Sequence, residues 1–234
     1  MTNSTDRDRA PSGRATTVDA MRAVLGSMGT PEGMQKGLEL RLRPTDIVIA
    51  PFSKSGTTWL QQIAHTLRTR GDMDFDDISR VCPWIEMSTD LGLELDAEQK
   101  ANPRVLKSHL DAHRIPKGGR GSWTHLKSWW PRRNDPDVLF MAYEHMNDDL
   151  PGTIGRVAAF MGIDLDEELL AITSKHASLA FMLGHKDRFD DRLMRERSVE
   201  VAGLPADSDS SKVRRGGVGE SRPQLGPEVV AALD

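Results

Sequence analysis

The sequence predicts an α/β domain whose mainly parallel central sheet is flanked by helices. Three observations predict it. Short apolar runs follow prolines at residues 46–52, 105–106 and 138–142, as expected of strands buried on both faces. Apolar residues recur at helical spacing in 57–70 (Trp59, Leu60, Ile63, Leu67), 155–161 and 166–175. A glycine-containing loop joins the first strand to the first of these helices, and alternation of strand and helix builds parallel sheets. Upstream, Val18–Met28 reads as a helix with Asp19 in its first turn, broken by Gly29-Thr30-Pro31-Glu32-Gly33. Residues 229–233, after Pro227, read as a terminal helix.

Bulk properties narrow the class. The chain has 234 residues, enough for one core without staples. Residues 1–16, rich in Ser, Thr, Asp and Arg, read as a disordered tail, and 17–234 as a single domain. Hydrophobic residues make up 38% and the net charge is −4, so no global field attracts nucleic acid or an anionic membrane. Any anionic ligand must be held by local cations and backbone amides. A single cysteine, Cys82, excludes an intramolecular disulfide and a cysteine-based zinc site. No apolar run is long enough to span a bilayer, and the N-terminus lacks a signal-peptide core. Cytoplasmic placement is the expectation.

The loop after the first strand holds the parts of a phosphate cradle. Strand-to-helix loops at the carboxyl edge of a parallel sheet bind ligands, and helix N-termini present N–H groups to anions. Here Gly56 lets the backbone approach, Ser55, Thr57 and Thr58 supply hydroxyls, and Lys54 supplies a charge. It is not a Walker A loop, in which the lysine directly follows the last glycine. A P-loop kinase or ATPase is disfavoured by that misplaced lysine and by the lack of an obvious magnesium-holding Asp after a strand.

The run Lys54-Ser55-Gly56-Thr57-Thr58-Trp59, entered from a strand, resembles the 5′-phosphosulfate loop of cytosolic sulfotransferases, with Ser53 where that family usually has proline. The resemblance implies a P-loop-like fold. It also implies a co-substrate, 3′-phosphoadenylyl sulfate (PAPS), released as adenosine 3′,5′-bisphosphate (PAP). Lys54 would contact the 5′-phosphate and the bridging oxygen, residues 55–58 would hold the phosphate, and Trp59 would lie against the adenine. Trp59 is equally a core residue of the helix's buried face, and the two roles are compatible.

Lys107-Ser108-His109-Leu110 ends the second strand, where positions 107 and 109 share a face. A histidine can take a proton from an attacking hydroxyl near neutral pH, and a lysine beside it can stabilise charge on the group in transit. In isolation the pair would read as a solvated lysine and a core histidine. The stretch resembles the family's Lys-Thr-His-Leu-Pro, which implies His109 as general base and Lys107 as its electrostatic partner. Trp84, in Arg80-Val81-Cys82-Pro83-Trp84-Ile85-Glu86, sits in a segment similar to the family's acceptor side, although a buried aromatic is an equal account.

Further similarities follow in chain order. Gly121-Ser122-Trp123 through Trp130 resembles a Gly-Ser-Trp helix leading to a tryptophan pair. Tyr143, the only tyrosine, ends a strand resembling Tyr-Glu-Asp-Met, with His145 in place of the aspartate, which implies an adenine contact. Ser178 and Met182 lie in another adenine-side segment, with Ala177 where threonine is usual. Arg214-Arg215-Gly216 resembles the loop that grips the 3′-phosphate, and paired arginines beside glycine suit such a clamp.

One family segment has no counterpart: the strand ending in Arg-Asp-Pro, with the following helix, that normally completes the 3′-phosphate site. His109 is followed by Arg114 to Arg120 and then directly by Gly121-Ser122-Trp123. The sheet is therefore expected to lack one family strand and to carry an exposed edge. The resemblance implies sulfuryl transfer to a small phenol, alcohol or amine, without a metal, and leaves a homodimer open. The missing segment supports an alternative: a non-catalytic relative that binds only nucleotide or a protein partner.

Overall fold

The computed structural model describes residues 17–52, 55–116, 120–123, 126–207, 212–214 and 216. The expected tail over 1–16 and terminal helix over 229–233 lie outside them, as do Lys54 and Arg215.

Thr17 caps α1 (Val18–Met28) by accepting from the Ala20 N–H. The expected break after it is short. Thr30 Oγ1 accepts from Gly33 N at 2.9 Å, and Pro31 opens α2 (Pro31–Leu38). Proline fits a first helical turn, whose N–H groups have no intrahelical partner. The break at 29–33 is therefore a cap between two helices.

Four described strands form one parallel sheet in the order β2-β1-β3-β4: β1 (Ile47–Ala50), β2 (Val105–Lys107), β3 (Arg120–Trp123) and β4 (Val138–Phe140). The three expected strands are β1, β2 and β4. Of the helix expected from Gly121-Ser122-Trp123 through Trp130, a short helix forms at Leu126–Trp129, while the first residues are instead β3, paired from Ile47↔Arg120 to Ala50↔Trp123 and with β4 from Gly121↔Val138 to Trp123↔Phe140. The reason is the edge. With β2 on one side, β1 has a second row of backbone donors and acceptors that burial obliges to pair. That second row is paired by β3.

Side chains of β1 alternate between two cores. Ile47 and Ile49 pack with α3 (Thr57–Thr69), α7 (Leu150–Met161) and α8 (Glu167–His176) through Leu60, Ile63, Leu67, Ile154, Val157 and Leu169. Val48 and Ala50 face Ile85, Leu106, Val138 and Trp129, which ends α5 (Leu126–Trp129). Among the described residues, shorter or unforeseen helices are α4 (Ile78–Val81), α6 (Tyr143–Asp148), α9 (Leu179–Gly184) and α10 (Arg192–Ala202). Among the described residues, no helix is long and apolar enough to cross a membrane.

His65 sits inside α3 with no exposed surface. Its Nδ1 lies 3.2 Å from Arg68 Nη2, which can only donate, so Nδ1 carries the lone pair and Nε2 the hydrogen. Protonation would set two donors against each other. Burial, then the Arg68 charge, pushes the imidazole from 6.5 to about 4, against the pull of Asp72. A histidine lowered on folding takes up its proton more readily in the unfolded chain. Its contribution is therefore fully present above pH 6.5 and is lost as pH falls towards about 4. The loss amounts to about 3 kcal/mol over that window. Urea midpoints at several pH values should show it, and His65→Gln should flatten the dependence.

Candidate active site at the carboxyl edge of the sheet

The loop after β1 ends at Gly56, which caps α3 in the left-handed conformation (φ 85°) without a side-chain hydrogen bond to the helix. A glycine here does two jobs. It adopts a φ that other residues resist, and it leaves room for Tyr143, whose Cδ2 would stand 2.9 Å from any added Cβ. The first turn carries Thr57, nearly buried, and Thr58. Ser55 donates its backbone N–H to Phe52 O.

Tyr143 ties separate segments together. Its ring meets Trp59 edge-on at 5.7 Å between centroids, and its hydroxyl donates to Gly216 O at 2.9 Å. The Trp59 indole donates to Ala177 O at 2.8 Å. Ser178 follows and caps α9: its hydroxyl accepts from Phe181 N and donates to Lys175 O. Met182 is buried with Phe75, Ile78, Phe189 and Val213, and Trp59 packs against this cluster. Four expected donor segments, from 55 to 59, at 143, from 177 to 182 and at 216, thus meet. Arg214 is exposed at the last of them.

The Lys-x-His element lies beside the loop. Ser108 N donates to Ile49 O at 2.9 Å, and His109 Nδ1 lies 2.8 Å from Pro51 O. A carbonyl only accepts, so Nδ1 carries the hydrogen and the neutral ring has its lone pair on Nε2. Glu86 holds the same residue from behind, with Oε1 accepting the His109 backbone N–H at 2.6 Å. Burial raises the Glu86 carboxyl, and the His109 N–H opposes the rise.

Trp84 separates the two residues of the motif. The Lys107 Nζ sits over its ring at 4.0 Å from the centroid, and the His109 ring meets it at 5.2 Å, nearly perpendicular. Burial lowers the Lys107 ammonium below the ordinary lysine range. Asp191, Glu86 and Asp77 oppose the shift, and Lys212 adds to it. Sequence reasoning missed Glu86 as the brace behind His109 and Asp191 as a counter-charge. The short Trp84-x-Glu86 spacing before a buried strand was the available signal for the first, and no motif marks the second.

The sulfotransferase domain family matches residues 44–119 and 120–234. Sulfotransferase 1E1 of Bos taurus is 26% identical over 200 residues, covering 62% of this chain and 68% of the relative. Sulfotransferase 1C2 of Homo sapiens is 25% identical over 235 residues, covering 76% and 77%. A crystal structure of retinol dehydratase with androsterone and PAP has a TM-score of 0.62 at 21% identity, covering 90% of this chain and 83% of that one. A mouse sulfotransferase complexed with PAP has a TM-score of 0.63 at 18% identity, covering 89% and 88%. The bovine match is informative in its lengths. Its 200 positions take up 62% of 234 residues, about 145, so about 55 positions of the relative have no counterpart here. The family match divides between residues 119 and 120, one residue from the junction read in the sequence. With more than half of its length matched by the family, this chain belongs to the sulfotransferase domain family.

Proposed function

We propose that this protein moves a sulfuryl group from PAPS to a hydroxyl or amine of a small acceptor, with His109 as general base. The meeting of four distant segments at the Trp59–Tyr143 pair carries the reading. It supports an adenine seat beside the Trp59–Tyr143 pair, next to a helix N-terminus able to take the 5′-phosphosulfate. Ser55, Gly56, Thr57 and Thr58 hold that phosphate, with Lys54 supplying charge to it. Ser178, above the buried Met182, flanks the adenine, and Arg214, Arg215 and Gly216 take the 3′-phosphate. PAP is the ligand of both structural neighbours, and androsterone accompanies it in one. A lipophilic alcohol or phenol is the acceptor class to try first.

The test is binding followed by turnover. Isothermal titration with PAP should give saturable binding, and labelled PAPS should transfer sulfate to members of a phenol, alcohol and amine panel. Gly56→Ala forces a Cβ against the Tyr143 ring at a φ that disfavours it. We expect it to weaken PAP by about tenfold or more. A wild-type protein that ignores millimolar PAP would overturn the proposal.

A further inference from the structure

We propose that the Lys212–Asp191 ion pair is a latch that seats residues 212–214 so that Arg214 is presented to the 3′-phosphate of the donor. This rests on the donor reading above and assigns a role to two residues outside every motif. The Lys212 Nζ lies 2.6 Å from Asp191 Oδ2, with the side chains 25% and 8% exposed. A pair this shielded is screened less by salt than a surface pair, and removing one partner leaves the other charge poorly solvated.

The surrounding geometry makes the pair one of three fastenings. Val213, the next residue, is buried against Phe75, Ile78, Met182 and Phe189. Gly216, at φ 74°, gives its carbonyl to the Tyr143 hydroxyl, and Leu179 Cδ2 would stand 3.0 Å from any Cβ on it. Lys212 and Val213 thus point into the body while Arg214 between these anchors is exposed. At the other end, Asp191 immediately precedes α10 and is held in the left-handed region (φ 48°), a conformation that Asp and Asn tolerate better than most residues. Its position is set by the chain, so Lys212 comes to it. The same carboxylate is the leading attraction opposing the fall that burial imposes on the Lys107 ammonium, which puts the latch within electrostatic reach of the Lys-x-His element. The family match breaks between residues 119 and 120, where the sequence lacks the family's Arg-Asp-Pro segment, so on the donor reading the 3′-phosphate depends the more on this segment.

The test uses two variants that keep shape and remove charge. Lys212→Met keeps the apolar stem, and Asp191→Asn keeps the left-handed tolerance. PAP and adenosine 5′-monophosphate, which lacks the 3′-phosphate, are titrated against each. We expect both variants to lose about tenfold in PAP affinity with monophosphate affinity unchanged, and the double variant to lose no more than either alone. Equal losses for both ligands would mean a general structural role and would overturn the latch. So would a wild-type preference for PAP retained in both variants. Loss of that preference in Lys212→Met alone would make Lys212 a direct phosphate ligand, also against the latch. Wild-type protein that binds neither nucleotide overturns the donor reading itself, and wild-type binding without preference for PAP overturns only the latch.

Discussion

His109→Ala should lower sulfuryl-transfer turnover by about 10²- to 10⁴-fold while changing PAP affinity by less than about twofold. The asymmetry follows from what His109 touches. Its ring is fixed by Pro51 O and Trp84, and its backbone by Glu86, none of them in the donor seat around Tyr143. In the proposed reaction, the acceptor O–H proton passes to Nε2, the acceptor oxygen bonds to sulfur, and the sulfur–oxygen bond to the 5′-phosphate breaks, releasing PAP. Removing the base leaves the donor contacts and the Lys107 charge in place, so the loss should fall on kcat. Single-turnover measurement with labelled PAPS separates the two quantities. Full turnover by the variant would remove His109 from the role, and a parallel collapse in PAP affinity would make it a structural residue.

The parts of the site that sequence reading found are those whose chemistry is local. Gly56 and the hydroxyls after it form one loop, and strand periodicity alone puts Lys107 and His109 on one face. The structure adds what lies between them: the Trp84 ring, which meets Lys107 on its face and the His109 ring nearly at right angles. Residues 120–123 were misread because Arg-Gly-Ser-Trp is too short to carry a period, and its state is set by an open edge of β1 about 70 residues earlier. Pro31 misled for a related reason: proline marks both a break and a first turn, and only the Thr30 cap decides. Lys212 and Asp191, 21 positions apart, meet through the packing of Val213 and the start of α10, which no local pattern encodes. The missing family segment was legible because its flanks resemble the family on both sides.

The sheet that aligns these parts is fastened by a buried ion pair, and breaking it should cost about 3–5 kcal/mol. Asp46 and Arg104 stand directly before β1 and β2, with side chains 0% and 1% exposed. Arg104 Nε and Nη2 donate to the two Asp46 oxygens at 2.9 and 2.6 Å, and Nη1 reaches Asp96 at 2.7 Å. Asp46 Oδ2 also accepts from Arg43 N, and Ile47 N donates to Arg104 O beside the pair. Asp46→Ala strands the guanidinium and should show most of the loss as a lower urea midpoint with an unchanged slope. Asp46→Asn keeps one acceptor and should lose less. The double variant Asp46→Leu with Arg104→Met removes both charges and should recover much of the stability, since no buried ion is left unpaired. A functional consequence separates this pair from an ordinary core contact. β1 leads to Pro51 and Gly56, and β2 leads to Lys107 and His109, so the pair fixes the register that brings His109 Nδ1 to Pro51 O. The double variant should therefore regain stability with turnover still below wild type. Recovery of turnover in step with stability would reduce the pair to a fold element with no part in aligning the base.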